Sequence, residues 1–114
     1  MSQHDPMVCI HHMLDHASEA AEMVENRSRK ELDTNRMLNL ALVRLVEIIG
    51  EAANRIPDEF QTMHSDLPWR EIIGMRNRLV HGYDTVDLDI LWQILQTDIP
   101  PLIDQLEQIV STNQ

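Results

Sequence analysis

The chain has 114 residues, a net charge of −10, three glycines and four aromatic side chains. Its length suits one domain, residues 1–114, with one core, and its wealth of Leu, Ile, Met and Ala with so little Gly points to an all-helical fold. The acidity excludes a broad nucleic-acid-binding surface, and the single Cys9 excludes an internal disulfide and fits a reducing cytoplasm.

Met7, Ile10, Leu14, Ala17, Ala21 and Val24 step by three and four, which predicts a first helix over residues 6–26. MSQHDPM ahead of it lacks a charged-then-apolar leader pattern, and no apolar run along the chain is long enough for a bilayer, so the expectation is a cytoplasmic protein without membrane contact. His12 and His16 lie one turn apart on the polar side of this helix beside Asp15, a spacing that suits a shared metal. Only two ligands are evident, so a solvated polar face is the better reading and no metal is expected.

Ser28-Arg29-Lys30-Glu31 has the capping-box pattern and predicts a short turn that re-caps around Asp33 or Thr34. From Asn35, the series Leu38, Leu42, Leu45, Ile49, Ala53, Ile56 marks a long central helix, which Pro57 ends. Gly50 inside it costs about 1 kcal/mol relative to Ala, which implies close approach of another helix, across an interface or within the chain. Glu47 and Glu51 read as surface carboxylates or partners for Arg. A connector follows, with one helical turn around Glu59–His64. Pro68 suits a first helical position, and the predicted third helix runs to His81 and stops at Gly82. Asp84 to Asp87 read as a polar turn, with Asp87 a candidate N-cap. Leu88, Leu91, Leu95, Ile99, Leu102, Leu106 and Ile109 predict a last helix, broken or kinked at Pro100-Pro101. Four main helices joined by short connections predict an up-and-down four-helix bundle with extra helical turns.

Charge is unevenly spread along these elements. Residues 1–26 carry five acids and residues 84–114 six, neither with Lys or Arg, so all nine Lys and Arg fall within residues 27–83. That permits a locally positive cleft between acidic walls, suited to a short and geometrically specific contact with RNA. Three of the cations (Arg70, Arg76 and Arg78) lie close together, and two of them open the stretch Arg76-Asn77-Arg78-Leu79-Val80-His81-Gly82-Tyr83. An Arg can hold a phosphate through two parallel N–H bonds, and a His near its ordinary pKa passes protons at neutral pH. Together they can cut a phosphodiester without a metal. The same residues also suit a plain helix end, with cations near its carbonyls and Gly after its last turn.

Three passages together resemble the HepT-like proteins of the HEPN superfamily over nearly the whole chain. Arg44-Leu45-Val46-Glu47-Ile48-Ile49-Gly50-Glu51-Ala52-Ala53 is similar to that family's central helix. Pro68 to Tyr83 resembles its signature, an Arg, four residues, a His, one residue and a Tyr. Asp87-Leu88-Asp89-Ile90-Leu91-Trp92 with the later Pro-Pro step is similar to its final helix. The resemblance implies a HEPN-like helical fold and an RNA endonuclease acting as the toxin of a type II toxin–antitoxin pair. Arg76 and His81 map to its catalytic pair, in a cleft of a homodimer. Tyr83 maps to the tyrosine that a small nucleotidyltransferase antitoxin modifies with AMP. No cofactor is implied.

On these residues His81 acts as general base or acid and Arg76 stabilises charge on the phosphoryl oxygens. Asn77 orients the phosphate and Arg78 contacts the RNA backbone. On an ideal helix, positions five apart differ by about 140°, so Arg76 and His81 do not share a face. Either His81 sits at a frayed end or two subunits complete the site, which favours a dimer. The alternative is a non-catalytic helical dimerisation or adaptor module that partners a nucleotidyltransferase, with Arg76 and His81 paired to acids such as Glu51. A metal-binding bundle is disfavoured by the lack of inward Glu-x-x-His pairs.

Overall fold

The computed structural model describes residues 5–81 and 85–113, residue 81 in its backbone. The regular structure among the described residues is all helical apart from one very small hairpin. In order it forms α1 (Pro6–Val24), α2 (Lys30–Thr34), α3 (Arg36–Asn54), α4 (Asp58–Met63), α5 (Trp69–Ile73), α6 (Met75–Leu79), β1 (Val80–His81), β2 (Thr85–Val86) and α7 (Leu88–Gln93). A π-helical segment (Ile94–Asp98) then leads into α8 (Ile99–Thr112).

Local chemistry explains most of the boundaries. Asp5 caps α1 by accepting from the Met7 amide at 2.9 Å, with Pro6 at the first helical position. The capping-box Glu31 reaches back to the Ser28 amide at 2.7 Å. The next cap is Asn35 rather than Asp33 or Thr34; its side chain accepts from the Leu38 amide at 3.0 Å. Behind it, the Asn39 amide, 6% exposed, donates to the Leu32 carbonyl and ties α2 to α3.

α1 packs on both α3 and α8, while α3 also carries α2, α5 and α6. One apolar cluster runs through all of them, from Ile10, Met13 and Ala17 through Leu42, Val46 and Ile49 to Leu91, Leu102 and Leu106. In α1 the buried stripe is rotated from the expected one: Met13 and Ala20 are fully buried, whereas Leu14 and Ala21 are half-exposed. Covering α1 from two sides, by α3 and α8, accounts for that wider stripe.

Two expected helices differ. The third is two five-residue pieces, broken at Gly74, and it ends at Leu79. His81 therefore lies in extended backbone, and Thr85-Val86 is the returning strand where a polar turn was expected. β-branched Val80 pairs with Val86, and the Asp87 amide takes the Leu79 carbonyl at 2.8 Å, so the helix end is satisfied by the hairpin. Pro100-Pro101 do not break the last helix. Lacking N–H groups, they cannot serve the carbonyls one turn earlier, and the backbone widens ahead of them, with the Ile99 amide bonding to the Ile94 carbonyl. No helix among the described residues is long and apolar enough to cross a membrane.

Candidate active site around Arg76

Gly50 brings the signature segment against the central helix. A Cβ there would stand 3.2 Å from the Ile72 carbonyl oxygen and 3.4 Å from that of Ile73. The close approach foreseen for Gly50 is thus made by α5 of the same chain. It sets α6 alongside α3, opposite the carboxylate of Glu47.

Arg76 rises from α6 with its side chain 57% exposed, and its Nε donates to Glu47 Oε2 at 2.9 Å. Glu47 is the more buried partner, at 21%, and Arg44 approaches its other oxygen at 3.5 Å. Arg44 also reaches Glu51 at 3.5 Å. A carboxylate on a long packed helix thereby orients the guanidinium plane through Nε. Among the described residues no ion pair engages the Nη groups, the pair that could grip a phosphate bidentately.

Arg76 projects into a groove of about 500 Å³ between α3 and the hairpin. Leu40, Val43, Val80, Val86 and Leu88 supply apolar walls, and Arg36, Asn39 and Glu47 polar ones. On its other side Arg76 borders a hollow of about 150 Å³ that Asn77 shares with Glu51 and Asn54. Arg78 lies elsewhere. Two positions along a helix turn by about 200°, and Arg78 lines a mainly apolar cleft of about 280 Å³ against α8, where it pairs with Asp98.

So Arg76 and Asn77 share one neighbourhood, and Arg78 faces another. Residue 81 immediately follows Val80 of the groove wall and pairs by its backbone with Thr85. Because β1 takes it off the helix, the 140° objection no longer applies, and with it goes the geometric need for a second subunit. Tyr83 lies outside the described residues.

His12 is exposed and His16 half-buried, and a ring nitrogen of His16 donates to the His12 carbonyl at 2.6 Å. Three further cations are engaged by acids: Arg27 pairs with Glu31 and Arg29 with Asp33 and Asp89, while Arg78 pairs with Asp98. Burial opposes the charge of Arg29, but hydrogen bonds to Asp89 and Asp33 outweigh it and raise its pKa. Glu47 is a partner for Arg, as its sequence position allowed, but which Arg it holds was missed in the sequence. The signal was its position between Arg44 and Gly50, on the side of α3 that receives α5 and α6.

Comparisons with known proteins add a second line. The family described as Ribonuclease HepT-like matches residues 13–109. The chain is 36% identical over 100 residues to "Probable ribonuclease HepT" of Thermococcus cleftensis, spanning 84% of this chain and 91% of that one. It is 33% identical over 107 residues to "Putative RNase MJ1380" of Methanocaldococcus jannaschii, spanning 94% and 98%. It is 37% identical over 105 residues to "Putative RNase TTE0752" of Caldanaerobacter subterraneus subsp. tengcongensis, spanning 92% and 94%. No solved structure matches.

Proposed function

This chain belongs to the HepT-like ribonuclease family, and from that premise we propose that it is a metal-independent RNA endonuclease, the toxin of a type II toxin–antitoxin pair. The observation that carries the reading is the guanidinium of Arg76. It is exposed, held through Nε by Glu47, and set in a groove whose wall runs directly into His81.

In the proposed reaction His81 takes the proton of the RNA 2′-hydroxyl. That oxygen attacks the adjacent phosphorus, the bond to the 5′-oxygen breaks, and the leaving oxygen takes a proton from water, to which His81 returns the one it accepted. The products are a 2′,3′-cyclic phosphate and a 5′-hydroxyl, and DNA is spared for want of the nucleophile. Arg76 stabilises the charge on the phosphoryl oxygens as the phosphorus becomes crowded, and positioned proton transfer supplies about 10²–10⁴-fold in rate. Asn77 hydrogen-bonds the phosphate from the neighbouring hollow. Arg78, across α6 and paired with Asp98, contacts backbone further from the reacting atoms.

The active species is a homodimer. Its support is exposed apolar surface near the start of α3, outside the groove, where Met37 is 83% exposed. A small nucleotidyltransferase is the antitoxin: the Tyr83 hydroxyl oxygen attacks the α-phosphorus of ATP, and pyrophosphate leaves. AMP two residues from His81 adds negative charge and bulk where RNA phosphate must sit. The Arg76–Glu47 ion pair favours the adaptor reading in part, since that reading expects Arg76 to be satisfied by an acid.

Inducible expression with and without a co-expressed small nucleotidyltransferase of the proposed antitoxin class separates the two, followed by intact-mass measurement. Growth arrest that His81→Ala abolishes, and that the partner relieves with added AMP mass on Tyr83, is expected. Unchanged growth and unchanged mass select the adaptor.

A further inference from the structure

Four of the nine cations, Lys30, Arg36, Arg55 and Arg70, form no ion pair among the described residues. Of these four, only Arg36 lines the groove that holds Arg76. It is the first residue of α3, exposed, on backbone that the Asn35 cap holds in place. The 11 positions from Arg36 to Glu47 span about 16 Å of α3 at 1.5 Å per residue. The two cations therefore mark opposite ends of one trough rather than a single anion site.

Between them the wall is aliphatic, from Leu40, Val43, Val80 and Val86. The trough's 500 Å³ lies within the range of clefts that hold small ligands, about 300–1,000 Å³. A cation at each end, apolar sides between and an acidic body around suit a single strand, whose phosphates meet the guanidiniums while a sugar and base edge lie on the aliphatic wall.

We infer that this groove seats a short stretch of single-stranded RNA, with Arg76 at the scissile phosphate and Arg36 gripping a second phosphate of the same strand. The assignment rests on the active-site reading of Arg76. No aromatic ring is among the described residues of the lining, so base stacking contributes little and the two phosphate contacts carry the affinity. Arg36 is a substrate-binding residue, distant from the bonds that change.

The test measures binding of a labelled, mixed-sequence single-stranded RNA by fluorescence anisotropy across a salt series, together with cleavage rates at limiting and saturating RNA. The full-length wild type is compared with Arg36→Gln, Arg36→Lys, Arg70→Gln and Arg76→Ala. Arg36→Gln is expected to weaken binding several-fold and to flatten the slope of log K against log salt by about 0.7, the value for one single-strand phosphate contact. Its cleavage at limiting RNA falls in step with the lost affinity, and Arg36→Lys recovers most of both. Arg70→Gln, which removes the same charge outside the groove, changes neither affinity nor slope.

Wild-type affinity and slope in Arg36→Gln overturn the inference, as does an equal loss in Arg70→Gln, which would mark a general effect of net charge. If Arg76→Ala abolishes cleavage while Arg36→Gln binds normally, this inference alone fails. Undiminished cleavage by Arg76→Ala overturns the active-site reading instead.

Discussion

At the scale of single residues, the ion pair of Arg76 with Glu47 decides what the guanidinium can do. Holding Nε leaves the Nη edge to face a phosphate, and the more buried carboxylate fixes the plane. Glu47→Gln keeps the shape and weakens the hold, so the single-turnover cleavage rate should fall by roughly threefold to tenfold. The stability change should stay within about 1 kcal/mol, as for other exposed pairs; an unchanged rate would make the pair ornamental to catalysis. Cys9 is a different case. It is 5% exposed, and burial pushes its thiol above the ordinary 9.0, with Arg55 opposing and Asp5 adding to the rise. A thiol with a raised folded pKa stabilises the fold below its unfolded pKa, and that contribution is lost as pH rises past about 9. Denaturant midpoints measured from neutral to alkaline pH should therefore fall more steeply in the wild type than in Cys9→Ala.

At the scale of elements, glycine and proline act through the backbone they meet. Gly50→Ala would raise helix propensity by about 1 kcal/mol, yet its Cβ meets carbonyl oxygen of α5 at 3.2 Å. Backbone cannot rotate away as a side chain can, so α5 must shift and carry Arg76 with it. The expected outcome is a net loss of about 1–3 kcal/mol by chemical denaturation, with reduced RNA cleavage in the fraction that stays folded. A stabilised, fully active Gly50→Ala would mean that α5 yields easily. Gly74 and the hairpin make the second such point. The apolar steps of the third helix continue smoothly through Gly74 and Val80 in the sequence, and nothing local announces that Asp87 will satisfy the Leu79 carbonyl. The Pro-Pro step does announce a disturbance, but whether the chain breaks or widens depends on the packing of Leu91, Ile94 and Leu102 on either side.

At the scale of the whole molecule, packing of α1 on α8 brings together the two segments that lack Lys and Arg. The cations are left to α2, α3, α5, α6 and the turns beside them, so the acidic total and a positive groove coexist. The outer side of α3 is also where self-association is expected. Sedimentation of the wild type should show a dimer, and Met37→Glu, which lies outside the groove, should weaken it by about tenfold. A monomeric wild type would remove the dimer from the proposed mechanism. From the sequence alone one could determine the helical class, the course of α1 and α3, and the caps at Asp87 and the Ser28–Glu31 box. Those are properties of periodicity, composition and short-range hydrogen bonding, which neighbouring residues carry among themselves. Tertiary structure alone decided that Glu47 holds Arg76, that Arg36 shares its groove while Arg78 turns to Asp98, and that His81 leaves the helix. Each of these depends on which distant surface Gly50 admits and which amide reaches a free carbonyl, and such long-range matches leave no period in the chain to be read.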